Sequence, residues 1–414
     1  MTRWLAGPAC RLAFLAAVII RLPALLTGAG DVTLEDWVSA ALERDPEIKE
    51  AQIENSWQRS RVDTREVWED PELRIGREQR EDRGDQNSIR LRIPIPNPWE
   101  ARAGRREFEA RADAGYLRME AIAWEKSMEL ATRYFEAVFR HNLVEARTQF
   151  QEGFTRDLEA AEKGYEARVL TRDRLIDMKA EHAIASARLA RNRVQWRTLV
   201  EEMRALAGWT DKPVESLATP LPVPSTLAEV PSLENLHRIA FREEGELGAL
   251  TAEQREEEAR LDGVRSRSIP WITFLEGTWL EERERNREDF EVRVGITLPV
   301  FSWLRHSQTE EALRVMRSRD RIKAYSDGLN AALESAWFKV QAEADRLTEV
   351  YATTAESIDE INTALAAGGI DPRRLSGLRD LWMDLQEERL EAARDYQFAL
   401  LDLMSVTGPG YPVR

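Results

Sequence analysis

The chain has 414 residues, of which 32% are charged, and a formal net charge of -15. Such an acidic surface offers no broad basic face to nucleic acid. No internal stretch reaches the roughly 18 uncharged apolar residues that a membrane-spanning helix needs. The single cysteine, Cys10, means that the fold does not depend on a disulfide.

The chain opens with Arg3 and Arg11, an apolar run over residues 12–20, and small residues at Thr27, Gly28 and Ala29. This pattern reads as a secretory signal peptide over residues 1–29. Cys10 precedes the apolar run, whereas a lipid-modified cysteine follows it, so no acylated N-terminus is expected.

The rest of the sequence repeats. Leu34, Glu35, Trp37, Ala41, Leu42, Glu47 and Ile48 match Leu233, Glu234, Leu236, Ala240, Phe241, Glu246 and Leu247 at a gapless offset of 199 (233 minus 34). The same offset carries Pro71 to Pro270, each opening a strand. Trp99 and Trp303 follow the two hairpins. The organisation expected is leader helices over 30–70, a β-hairpin over 71–97, and a helical hairpin over 98–208. A Pro-rich, irregular linker over 209–232 separates this half from leader helices over 233–269, a β-hairpin over 270–301, and a helical hairpin over 302–408. Residues 409–414 form a tail.

Each hairpin carries a strand of strict period two. In the second, Phe290, Val292, Val294, Ile296, Leu298 and Val300 alternate with Glu291, Arg293, Gly295, Thr297 and Pro299. In the first, Ile89, Leu91, Ile93 and Ile95 lie opposite Arg90, Arg92 and the prolines. Alternation of this kind fits a strand with lipid on one side and a wet lumen on the other, or a half-buried strand of a soluble domain. The first strand of the first hairpin is polar beyond Ile75. It is therefore expected either to bulge or to lie above a bilayer.

From Trp99 to Pro213 no proline intervenes. Trp124, Met128, Ala131, Phe135 and Val138 form a heptad seam, which then slips by one to Phe139, Leu143, Ala146, Phe150 and Phe154. A helix over residues 100–163 is about 96 Å long at roughly 1.5 Å per residue. The pattern recurs over residues 304–366. Each long helix ends in a tight turn. The first is Ala167, Arg168, Val169, Leu170 and Thr171; the second is Gly368, Gly369, Ile370 and Asp371, followed by Pro372. Thr171 and Asp371 stand at N-cap positions, and the two glycines suit a left-handed C′ residue.

These features together resemble the outer-membrane efflux protein family, the TolC-like exit ducts of Gram-negative bacteria. The motifs are the leader ending Arg44, Asp45, Pro46, Glu47, Ile48; the strand opening Asp70, Pro71, Glu72, Leu73; Ile93, Pro94, Ile95, Pro96 with its counterpart Ile296, Thr297, Leu298, Pro299; and the two turns. The resemblance covers residues 31–408, and the strand opening is most similar to the heavy-metal and cation branch. It implies a mainly α fold with a small transmembrane β part. Long coiled-coil hairpins would form an α-barrel, and four strands per protomer would enter a trimeric 12-stranded β-barrel.

The resemblance further implies a homotrimer in the cell outer membrane, in contact with outer-membrane lipid and extending into the periplasm. It would be served by a periplasmic adaptor protein and an inner-membrane efflux pump. The adaptor would dock at Arg168, Val169, Leu170, Thr171, Gly368, Gly369, Ile370 and Asp371. A periplasmic gate would be built from Arg373, Arg374, Asp380 and Asp384, the two aspartates sharing a helix face. Arg90, Arg92, Glu291 and Arg293 would line the lumen, and Trp99 and Trp303 would mark the membrane interface.

Independently of family, four strands cannot close a barrel and an open edge cannot stand in lipid, so lipid-facing strands require self-association. Enzyme chemistry is not expected. His141, His182, His237 and His306 lack metal-ligand spacing, and no phosphate-cradling glycine loop or nucleophile elbow occurs. No cofactor, metal or nucleic acid is expected. The competing reading is a structural coiled-coil scaffold of the periplasm, its strands capping a helical bundle.

Overall fold

The computed structural model describes residues 31–64, 70–80, 84–209, 216–217, 221–227, 229–282, 287–298, 303–367 and 372–411. The signal-like segment, Gly368, Gly369, Ile370, Asp371, Pro299 and Val300 lie outside these residues, as do the side chains of Trp303 and Arg373. The elements in chain order are β1 (Asp31–Val32), α1 (Leu34–Leu42), α2 (Pro46–Thr64), β2 (Glu72–Arg80), β3 (Gly84–Pro94), α3 (Pro98–Glu166) and α4 (Arg172–Ala207). They continue with β4 (Ser216–Leu217), α5 (Leu233–Glu243), α6 (Gly245–Ser266), β5 (Trp271–Glu282), β6 (Arg287–Thr297), α7 (Trp303–Ala367) and α8 (Pro372–Thr407). The chain is mainly helical, with a four-stranded antiparallel sheet of order β2-β3-β5-β6 and a two-stranded parallel pair β1-β4. Among the described residues no helix is long and apolar enough to cross a membrane.

The contacts divide these elements into two units. One takes in the chain up to Lys49, Ala121–Glu244 and the chain from Gly328 onward; the other is Glu50–Glu120 with Gly245–Asp327.

In the first unit the leader is fixed by polar clasps. Thr33 caps α1 through its side chain, which accepts from the Asp36 amide at 3.1 Å. The leader breaks at Asp45, whose carboxylate accepts from the amides of Glu47 and Ile48 at 2.9 and 3.2 Å and starts α2 with Pro46 at its first position. Trp37 is fully buried, and its indole N–H donates to the Met203 carbonyl at 2.9 Å. Tyr134 on α3 donates to the Val32 carbonyl at 2.9 Å. On α7, Trp337 donates to the Pro231 carbonyl at 3.1 Å. Val32 and Pro231 are the two positions related by the offset of 199 (231 minus 32), so the duplication extends to hydrogen-bonding chemistry. The Pro-rich linker is not wholly irregular, because Ser216 and Leu217 pair in parallel with Asp31 and Val32. A two-residue strand leaves no periodic signal for a sequence reading to find.

The long helices of this unit pack α4 on α3, α3 on α8 and α8 on α7, and α4 also reaches α8 directly. Gln151 on α3 donates to Ser186 on α4 at 2.7 Å. Arg147 on α3 pairs with Glu387 on α8 at 2.8 Å. Lys339 and Arg346 on α7 pair with Asp402 and Asp395 on α8 at 2.6 and 2.9 Å. The heptad seam of α3 lies between its neighbours, with Phe135, Val138, Phe139, Leu143 and Phe154 at most 2% exposed. Full burial of such a side chain is worth about 1.5–3 kcal/mol, so the seam rather than the surface ion pairs carries the packing.

In the second unit, α6 lies against α3 through Arg111–Glu256 at 2.7 Å and Arg106–Asp262 at 3.1 Å. The Asn97 amide donates to the Ser266 carbonyl at 3.1 Å, tying the exit of β3 to the end of α6.

Candidate functional site

The sheet presents two chemically distinct faces, and register decides which residue lies on which. β2 pairs with β3 in unbroken register from Glu72↔Arg92 to Arg80↔Gly84. The bulge considered for this polar strand is absent; the irregularity lies instead in β5, between Ile272 and Phe274. That bulge inserts one residue, so Ile272 comes to the same face as Leu275 despite their odd separation.

One face carries Leu73, Ile75, Ile89, Leu91, Ile93, Leu275, Phe290, Val292, Val294 and Ile296, each between 36% and 77% exposed. Gly277 sits in the row between Leu91 and Val292 and leaves a shallow cleft of about 350 Å³ on this face. A soluble antiparallel sheet hides its apolar face and wets the other; this sheet does the opposite. Covering ten such side chains is worth on the order of 10 kcal/mol even if each gains only half of full burial. That matches the whole stability of a typical domain.

The other face is charged and crowded. Successive rows across the sheet are Glu72, Arg92, Glu276 and Arg293, then Arg74, Arg90, Thr278 and Glu291. Arg90, Arg92, Glu291 and Arg293 therefore share one face. Glu276 stands among them, 6% exposed, with the Arg90 and Arg293 guanidiniums each at 3.6 Å. Arg293 also pairs with Glu291 at 2.7 Å, and Arg92 stacks over the Phe274 ring at 4.0 Å. Below the sheet, Trp99 is 44% exposed and meets Trp271 edge-on at 5.4 Å.

At the far end of the helices the first turn is a complete Schellman motif. The Arg168 amide donates to the Tyr165 carbonyl at 3.0 Å and the Val169 amide to the Gly164 carbonyl at 2.8 Å. Arg168 is left-handed, with φ 58°. This non-glycine residue adopts the strained conformation, at about 1–2 kcal/mol. The apolar contact that usually accompanies this motif is missing, since its partner position is Gly164. Val169 is left 84% exposed, so it does not close the turn by packing, whereas Leu170 is half-buried. Thr171 occupies the N-cap of α4 with an extended backbone but makes no side-chain cap bond.

Just beyond the turn, Arg174 on α4 is buried and donates to the Ser376 hydroxyl on α8 at 3.0 Å. One and two turns of α8 further on stand Asp380 and Asp384, both exposed at the surface, as is Arg374. Asp380 is nevertheless crowded. Lost hydration, then the like charges of Glu181 on α4 and of Asp384, raise its pKa, while Arg188 opposes them.

No protein-family model and no curated protein sequence matches this chain. Solved structures do match, across almost the whole length. CusC, described through its transmembrane channel formation, matches with a TM-score of 0.72 at 12% identity over 93% of this chain and 95% of its own. The outer-membrane protein VceC of Vibrio cholerae gives 0.64 at 13% identity over 92% and 97%. The open state of the Neisseria gonorrhoeae outer-membrane channel MtrE gives 0.62 at 15% identity over 93% and 94%. The chain has the fold of an outer-membrane efflux channel.

Within this channel fold three residues escaped the sequence reading. Glu276 lies beyond the β5 bulge, which breaks the alternation that would have assigned it a face. Glu181 pairs with Arg174 on its own helix at 4.0 Å, and only the approach of α8 sets its charge against Asp380. Trp271 had an available signal, because it directly follows Pro270, the mark of the strand's start.

Proposed function

We propose that the chain is the outer-membrane exit duct of a tripartite efflux or secretion system. In this reading it passively conducts substrates handed on by an inner-membrane pump and a periplasmic adaptor, and performs no chemistry itself. The observation that carries the proposal is the inverted sheet: apolar side chains point to solvent and charged ones crowd together. Lipid satisfies the first face and a watery lumen the second. Among the described residues the two outer strands, β2 and β6, each pair with one neighbouring strand only, and hydrocarbon does not tolerate an open edge. Three copies edge to edge give twelve strands and a lumen, whereas two copies give eight, whose interior side chains nearly fill.

The helical hairpins of residues 98–208 and 302–408 then form the periplasmic wall of a homotrimer. The tip residues Arg168, Val169, Leu170 and Thr171, with Gly368, Gly369, Ile370 and Asp371 of the second turn, meet the adaptor. Exposed Val169 on a fully hydrogen-bonded turn supports that assignment. Arg373, Arg374, Asp380 and Asp384 form the periplasmic constriction, with Glu181 added, and three-fold repetition of the acids favours cations. Arg90, Arg92, Glu291 and Arg293 line the barrel, while Trp99 and Trp303 mark the membrane interface. Energy comes from the pump, since an open pore drives nothing uphill.

Electron microscopy of detergent-solubilised protein tests the reading; the expected particle is a tapered three-fold cylinder. Fractionation with outer membranes and a need for detergent are the companion expectations. A freely soluble monomer, released by a salt wash, overturns it in favour of a scaffold.

A further inference from the structure

The apolar face of the sheet is not a smooth wall. At Gly277 on β5 a cleft of about 350 Å³ opens between Ile89 and Leu91 on β3, Leu275 and Trp279 on β5, and Phe290 and Val292 on β6. Glycine makes the cleft, because the positions around it on that face carry large side chains. A Cβ on Gly277 would meet the Phe290 ring at 3.6 Å, an ordinary contact, so the backbone leaves room for a side chain there. The volume lies at the small end of the range for ligand pockets. A flat apolar wall touches an acyl chain on one side. A cleft touches it on several, and each added atom pair contributes dispersion attraction.

Position and charge identify the occupant. The cleft is centred one strand in from the β6 edge, so a strand joined edge to edge at β6 lies beside it and not over it. Its upper rim is the row Ile75, Ile89, Trp279 and Phe290. The next row on the same face, two residues nearer the strand turns, is polar: Arg77, Asn87, Glu281 and Glu288 cross the sheet in line. Arg77 and Glu288 are exposed, and the Asn87 amide donates to Glu281 at 3.1 Å. Glu281 and Glu288 are direct cross-strand partners. Like charges so placed destabilise a sheet, and a cationic group between them relieves the repulsion. Arg77 stands two strands from Glu281, about 10 Å at roughly 4.8 Å per strand, so its guanidinium reaches a neighbouring anionic group. From Glu281 down to Gly277 is about 14 Å at roughly 3.4 Å per residue. An acyl chain spans that distance with its headgroup at the polar row.

We propose that the cleft at Gly277 binds one acyl chain of a membrane lipid whose headgroup carries both a phosphate and an ammonium group. The chain lies between Leu91 and Val292, the ammonium between Glu281 and Glu288, and the phosphate at Arg77. Each copy of the chain carries one such site. The inference rests on the channel reading, which sets lipid against this face, but it assigns one class of lipid to one place on that face.

Lipid retention tests it. Detergent-solubilised protein is mixed with equal amounts of phosphatidylethanolamine and phosphatidylglycerol of identical acyl chains, and the lipids that stay bound are counted by native mass spectrometry. The unaltered protein should retain up to one lipid per copy, with phosphatidylethanolamine favoured about fivefold. Gly277→Leu fills the cleft and should lower retention about tenfold. Gly277→Ala, whose methyl makes only ordinary contact with Phe290, should fall between the two. Val294→Leu, on the same face but outside the cleft, should retain lipid as the unaltered protein does. Glu281→Gln with Glu288→Gln should still hold a chain but bring the two lipids to about equal retention. A particle of three copies that retains lipid equally with Gly277→Leu, or that shows no preference between the two lipids when unaltered, overturns this site and leaves the channel reading standing. A freely soluble monomer removes both.

Discussion

Arg168 holds the first turn in a conformation that L-residues avoid, and the turn survives because two backbone hydrogen bonds over-determine it. Replacing it with glycine relieves the steric cost but loosens the unfolded chain, so the net gain is under about 1 kcal/mol. Arg168→Val, β-branched at positive φ, should cost about 1–2 kcal/mol. The Val169 and Leu170 amides, both bonded to the Gly164 carbonyl, report this locally. Their hydrogen exchange should slow in Arg168→Gly and quicken in Arg168→Val. Asp380 behaves differently. Its pKa is raised in the folded state, so ionising it costs stability. That cost is fully present above the folded pKa and disappears below the ordinary value of 3.8. Asp380→Asn should therefore raise the melting temperature at pH 7, with the difference shrinking as pH falls towards 3.8. An unchanged difference across pH would show that the carboxylate is ordinarily solvated.

Among the elements, the sheet is the clearest case of local pattern meeting tertiary arrangement. Alternation in β3 and β6 was legible because it is a property of consecutive residues, and pairing then placed both polar sets on one face. Glu276 was not legible, since the bulge that orients it is made by two strands together. Glu276→Ala removes the acid clasped by Arg90 and Arg293 and leaves two guanidiniums in a crowded place. Breaking a buried pair costs about 3–5 kcal/mol; at 3.6 Å and with partly exposed arginines, about half of that is expected. In planar bilayers the reversal potential should move towards anions. The helices offer a matched experiment. Tyr134→Phe and Trp337→Phe each delete one hydrogen bond to a duplicated carbonyl, and each should cost about 1 kcal/mol in denaturant unfolding. Equal effects would show that the two halves keep the same clasp by different donors.

At the scale of the molecule, the prediction concerns the proposed constriction. Neutralising Asp380 and Asp384 together with Arg373 and Arg374 should raise single-channel conductance and weaken cation preference. Unchanged conductance and selectivity would remove these residues from the gate. The sequence by itself determined the duplicated order of elements, the long helices, the two-faced strands and the positions of the turns. Each of these follows from spacing within a few residues, or from repetition at a fixed offset. Tertiary structure alone decided that the apolar strand face is uncovered, that Glu276 is clasped, that residues 216–217 join residues 31–32, and that α4 meets both α3 and α8. The physical reason is the same in each case: burial, charge pairing and edge position arise between segments distant in the chain, and no window of sequence contains both partners.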